Sequence, residues 1–173
     1  MSTAPMVCLD ATGTLIETTA PVGEVYARLA REHGVDLPAW RLDDAFRRVL
    51  RHAPTRGLAG ATPAERRAGE VEWWFERVRQ TFQATDSTVR FADFRGFAQA
   101  LFDVYATAAC WRARPGTHAL LARLAARGVD LCVISNFDHR LPEILEALDL
   151  IHFFKSIEIP SRTGHAKPER AVF

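Results

Sequence analysis

Val7-Cys-Leu-Asp-Ala-Thr-Gly-Thr-Leu15 decides how this chain is read. A short apolar run ends in a carboxylate, Asp10, and passes at once into a turn rich in hydroxyls with Gly13 and Thr14. A buried strand of this kind places its terminal acid at the carboxyl end of a sheet, the edge where open α/β sheets bind ligands. A carboxylate there can serve as a nucleophile or a metal ligand. Asp also favours turns for its own backbone reasons, so the stretch alone leaves both readings open.

Two further segments carry the same pattern. Leu131-Cys-Val-Ile-Ser-Asn136 is an apolar run ending in a hydroxyl and an amide. The candidate strand Ser156 to Ile159 leads to His165-Ala-Lys-Pro168. Ahead of the first of them, Thr117 to Gly128 predicts a helix carrying Leu120, Leu121 and Leu124, and between the two, Leu141 to Leu148 predicts another carrying Ile144, Leu145 and Leu148. Strand, helix, strand, helix, strand argues a parallel sheet with right-handed crossovers.

The intervening stretch is helical by period. Glu24 to Glu32 ends at Gly34, and Leu42, Phe46, Val49 and Leu50 recur at helical spacing. Val71, Trp74, Phe75, Val78 and Phe82 form the clearest stripe, preceded by Thr62-Pro63-Ala-Glu65, which reads as an N-cap with Pro at the first helical position. Phe94, Phe97, Ala98, Leu101, Phe102 and Tyr105 form a fourth stripe. Four amphipathic helices in succession predict a helical bundle whose aromatics are core; Trp73 alone falls off its stripe. Arg47, Arg48 and Arg51 read as a solvated face, with binding of an anionic substrate as the alternative.

Composition narrows the function classes. The 173 residues fit one core with an insertion, and a hydrophobic content of 48% suffices to pack it. A net charge of +1 with no like-charge block gives no case for nucleic acid or an anionic membrane surface. No apolar run approaches the roughly 18 residues of a membrane span, and the N-terminus lacks a secretory pattern. Three cysteines without metal or framework spacing suit a cytoplasmic protein. Cys8 and Cys132 read as small buried hydrophobes, and the six histidines as surface or helix-end residues.

An acid, a hydroxyl and a lysine following successive candidate strands resemble motifs one, two and three of the haloacid dehalogenase-like (HAD) hydrolase superfamily. Pro21-Val-Gly-Glu-Val-Tyr26 and Ile134-Ser-Asn-Phe-Asp-His-Arg-Leu141 are similar to the group of haloacid dehalogenase-like hydrolase domain-containing protein 3. The resemblance implies an α/β Rossmann-like core, residues 1–16 and 108–173, with three strands present. It implies an inserted α-helical C1-type cap at 17–107.

It also implies roles. Asp10 is the nucleophile, Ser135 donates a hydrogen bond to the transferred group, and Lys167 neutralises its charge. Thr12, Gly13, Thr14 and Asn136 hold substrate or phosphate, with Thr14 also bonding Asp10. Magnesium is held by Asp10 and the backbone carbonyl of Thr12. The acidic fourth motif would lie beyond Phe173, so further ligands are expected to be absent from this chain. Asp138 and Glu158 are poor substitutes, since Asp138 suits a helix cap. The superfamily's phosphatases usually carry a second Asp where this chain has Thr12, and a threonine hydroxyl is a poor acid–base group near neutral pH.

The expected function is phosphatase-type hydrolysis of a small phosphorylated metabolite through an aspartyl intermediate. A metal-independent 2-haloacid dehalogenase and a non-catalytic or truncated domain are the alternatives. In the resembled fold the first strand is central. This chain is therefore expected to expose Val7 to Leu9 as an apolar edge and to self-associate there.

Overall fold

A computed structural model describes residues 5–54 and 62–173. The expected cap residues 55–61 lie outside the described residues. In chain order the regular elements are β1 (Met6–Leu9), β2 (Ile16–Thr18), α1 (Val22–Glu32), α2 (Ala39–Arg51), α3 (Pro63–Thr85) and α4 (Phe94–Val104). There follow β3 (Trp111–Ala113), α5 (Thr117–Ala125), β4 (Asp130–Ile134), α6 (Leu141–Ala147), β5 (Ser156–Glu158) and α7 (Pro160–Thr163).

The chain divides into two compact units, one of Met1–Glu17, Arg56–Glu70 and Trp111–Phe173, the other of Thr18–Thr55 and Val71–Cys110. The first turns of α3 therefore belong with the sheet, and the rest of that helix with the other helices.

In the first unit β1, β4 and β5 form a parallel sheet in the order β1-β4-β5. Register sets Cys8 opposite Cys132 and Val133 opposite Ile157. β4 is central, and every residue from Leu131 to Ile134 is buried. A strand covered on both faces needs this unbroken apolar run rather than alternation. Leu121 of α5 and Leu141, Ile144 and Leu145 of α6 are buried with it, each contributing about 1.5–3 kcal/mol. Gly116, at φ 86°, starts α5 in a left-handed conformation that glycine adopts without penalty.

β1 pairs only with β4 among the described residues, so it is an edge of this sheet. Met6 is 61% exposed and Cys8 is exposed, while Val7 and Leu9 are half-buried. The reading of both strand cysteines as buried is thus corrected for Cys8. Side chains alternate across a strand, and Cys8 shares the open face with Met6. β2 and β3 form a separate two-stranded sheet that hydrophobic periodicity did not reveal, because three residues are too few to show a period.

In the second unit Val25, Tyr26, Leu29, Ala30, Leu42, Val78, Phe82, Phe97 and Leu101 form one buried cluster. Tyr26 stacks on Phe82 with centroids 6.1 Å apart, and Phe82 meets Phe97 edge-on at 5.2 Å. The aromatics of the stripes are bundle core, as their spacing predicts. Gly23 lets α1 and α2 approach: a Cβ there would stand 2.0 Å from the carbonyl oxygen of Ala39. Trp73 packs edge-on against Trp74 and donates from Nε1 to the Pro54 carbonyl. Arg47 pairs with Asp43 and Arg48 with Asp44, the solvated-face reading.

Candidate active site

Asp10 follows β1 directly, and the turn behind it is bonded to itself. The Ala11 carbonyl accepts from the N–H groups of Thr14, Leu15 and Ile16, and Gly13 N–H donates to the Ile16 carbonyl at 2.8 Å. Gly13 has φ 82°, which only glycine adopts freely. Arg114 donates to the Gly13 carbonyl. The N–H groups of Gly13 and Thr14 are thus bonded within the turn, and Thr12 is exposed. No hydrogen bond joins Thr14 to Asp10 among the described residues. Asp10 Oδ1 instead accepts from Ala11 N–H at 2.8 Å and pairs with Lys167 Nζ at 2.9 Å.

The parallel sheet order brings the other two strand ends alongside. Ser135, after β4, donates its N–H to the Glu158 carbonyl at 3.0 Å, and its buried Oγ accepts from Phe137 N–H at 3.2 Å. After β5, α7 ends at Gly164 with φ 77°, which turns the chain toward Lys167. Asn136 Oδ1 accepts from Lys167 N–H at 2.7 Å, and Asn136 Nδ2 donates to the Lys167 carbonyl at 2.9 Å. Asn136 therefore fixes the lysine's backbone, a role its residue type alone did not disclose.

The Asp10–Lys167 pair is partly open to water, with side chains 43% and 26% exposed. Such a pair adds under about 1 kcal/mol to stability, so its importance is placement of charge. Oδ1 has two donors; Oδ2 has none among the described residues and is the oxygen available to attack or to bind a cation.

A model of the haloacid dehalogenase-like hydrolases matches residues 5–173. The chain belongs to this family. Haloacid dehalogenase-like hydrolase domain-containing protein 3 of Bos taurus is 31% identical over 169 residues, 95% of this chain and 64% of that protein. This chain spans less than two thirds of that relative's length. Among solved structures, the HAD-hydrolase YfnB from Bacillus subtilis, bound to magnesium, superposes with TM-score 0.68 at 17% identity, over 99% of this chain and 72% of that one. L-2-haloacid dehalogenase from Xanthobacter autotrophicus, with chloropropionic acid covalently bound, gives 0.62 at 19%, over 98% and 62%. At these identities the two structures establish the shared fold.

For a member of this hydrolase family the surroundings of the site hold two unexpected pairs. Asp138 does not cap α6. The helix begins after Arg140, and the Asp138 carboxylate takes Arg140 N–H at 3.1 Å and its guanidinium at 2.7 and 2.6 Å, wholly buried. His139 is not a plain surface residue either. Its N–H and Nδ1 bond Glu70 Oε2 at 3.0 and 2.8 Å, and Glu70 is fully buried. Glu70 lies far from His139 in sequence, so no local pattern announces the contact.

The Asp10 carboxylate and the Thr12 carbonyl are hard oxygen donors of the kind magnesium takes, usually with substrate oxygens and water completing the octahedron. Among the described residues, no group of three His, Cys, Asp or Glu side chains gathers around a common point. No described helix is long and apolar enough to cross a membrane.

Proposed function

We propose that the site hydrolyses a small phosphorylated molecule through a covalent intermediate on Asp10. The observation carrying this reading is the convergence of a carboxylate, Asp10, and a cation, Lys167, at 2.9 Å. Asp10 Oδ2 attacks phosphorus, the bond to the leaving oxygen breaks, and that oxygen takes its proton from water, giving an alcohol and an aspartyl phosphate. Water then attacks phosphorus and releases Asp10. Lys167 stabilises the charge that develops on the transferred group, and Ser135 Oγ donates to it. Asn136 holds Lys167 in place, while Thr12 and the glycine turn at Gly13 leave room at the mouth of the loop. Magnesium, held by Asp10 and the Thr12 carbonyl, would supply further charge neutralisation on the phosphoryl oxygens.

A second reading is favoured by Thr12, which supplies no carboxylate to protonate a leaving alkoxide. A halide needs no such proton, and Asp10 attack on the carbon of a 2-haloacid would release it directly. Phosphate release from an aryl phosphate and halide release from 2-chloropropionate, each with and without magnesium, separate the two. Magnesium-dependent phosphate release supports the first reading. Halide release independent of metal replaces it with the second. Neither activity would leave the third reading, a non-catalytic or truncated domain.

The exposed edge of β1 supports self-association of this chain, with the small-molecule substrate as its other partner. A concentration-dependent rise in sedimentation coefficient is expected, and a monomer at all concentrations would refute it.

A further inference from the structure

Cys8 and Cys132 are register partners across β1 and β4, and their Sγ atoms are 2.6 Å apart. Paired strands lie about 4.7–4.9 Å apart. That spacing falls inside the ~4.4–6.8 Å range of Cα separations that a disulfide spans. Both thiols are free. Their environments differ in a way that assigns an order to their chemistry. Cys8 is exposed on the sheet edge, open to a reagent in solution. Cys132 is buried beside Ile134 and Val172. Burial, with Cys8 alongside, pushes its thiol up to about 12, and the sulfur it touches is that of Cys8. Cys110 is buried in the other unit, away from the Cys8–Cys132 pair.

We propose that Cys8 and Cys132 form a peroxide-sensitive dithiol whose reversible oxidation ties the strand that ends at Asp10 to the strand that ends at Ser135. The Cys8 thiolate attacks a peroxide oxygen. A sulfur–oxygen bond forms, the oxygen–oxygen bond breaks, and hydroxide leaves, giving a sulfenic acid at Cys8. Cys132 sulfur then attacks Cys8 sulfur. The sulfur–sulfur bond forms, the sulfur–oxygen bond breaks, and the departing oxygen leaves as water with the Cys132 proton. Two thiols are oxidised by two electrons in all, and the peroxide is reduced by two. A dithiol reductant reverses the bridge by exchange. The bridge sits immediately behind both catalytic strand ends, so it acts on their spacing whichever reaction Asp10 performs.

The test is thiol counting on the 173-residue chain after hydrogen peroxide, with alkylation under denaturing conditions and intact-mass measurement. The expected product has lost the mass of two hydrogen atoms, keeps one alkylatable thiol at Cys110, and yields a proteolytic peptide pair joined through Cys8 and Cys132. Dithiothreitol should restore all three thiols. Cys110→Ser should leave the bridge intact, and Cys132→Ser should strand Cys8 as a sulfenic acid trapped by dimedone. The parent protein alone is decisive if a variant misfolds. Retention of three thiols, a covalent dimer through Cys8, or a sulfinic acid at Cys8 with Cys132 still reduced would each overturn the proposal.

Discussion

The carboxamide of Asn136 brackets the backbone of Lys167, accepting from its N–H at 2.7 Å and donating to its carbonyl at 2.9 Å. The ammonium at the far end of that lysine meets Asp10 at 2.9 Å. Three strand ends are therefore connected through one amide and one ion pair. Asn136→Ala removes both bonds, about 1 kcal/mol each to stability. Its larger effect should be on turnover, because a lysine displaced by an ångström can cost about 10²-fold. Steady-state kinetics should show the loss in kcat, with circular dichroism unchanged.

Asp10→Asn keeps the size of the side chain and its bond from Ala11, but removes the nucleophile. Turnover should vanish while the thermal midpoint moves little, since the partly exposed pair with Lys167 contributes little stability. Residual activity within a few-fold of the parent would assign the attack to another group.

The buried pair of Asp138 and Arg140 behaves differently. Arg140→Met strips a fully buried carboxylate of its guanidinium, which should cost about 3–5 kcal/mol in urea unfolding. Asp138→Leu combined with Arg140→Met should cost less than the single change, because no orphaned charge remains. A double variant as unstable as Arg140→Met would show that the pair contributes more than charge compensation.

Thr62 and Glu65 form a capping box at the start of α3: the Thr62 N–H and hydroxyl donate to the Glu65 carboxylate at 2.7 and 2.8 Å, and Glu65 N–H donates back to the hydroxyl at 3.3 Å. Hydrogen bonds from the Thr62 backbone and side chain hold the Glu65 carboxyl below its ordinary 4.5. A carboxylate depressed on folding stabilises the fold above its unfolded value and loses that contribution as pH falls through the lower folded value. The stability gap between the parent and Glu65→Gln should therefore be widest near neutral pH and close progressively as the pH falls below the ordinary 4.5 and through the lower folded value. Urea titrations at stepped pH would check it, and a gap that widens in acid would refute it.

Much of this protein was legible locally. Apolar period alone marks the helix over Val71 to Phe82, and β4 is announced by an uninterrupted run from Leu131 to Ile134, because a covered face selects apolar residues at a fixed interval. Asp10 and Ser135 stand out since each ends such a run, whereas Lys167 is marked only by its place after the weaker candidate strand Ser156 to Ile159. Short elements escaped: β2, β3 and α7 have only three or four residues each, too few to carry a period.

What the chain's own residues determined is which elements form and which chemical groups end the strands, since propensity and alternation act over a few neighbours. Only the tertiary structure decided which atoms those groups meet. Parallel pairing set Cys8 against Cys132 and left Cys8 on an open edge. Tertiary packing turned Asn136 toward the Lys167 backbone and brought buried Glu70, on α3, to His139. Each of these contacts joins residues distant in sequence, and a bond between distant groups depends on how strands and helices pack rather than on any preference that local sequence expresses.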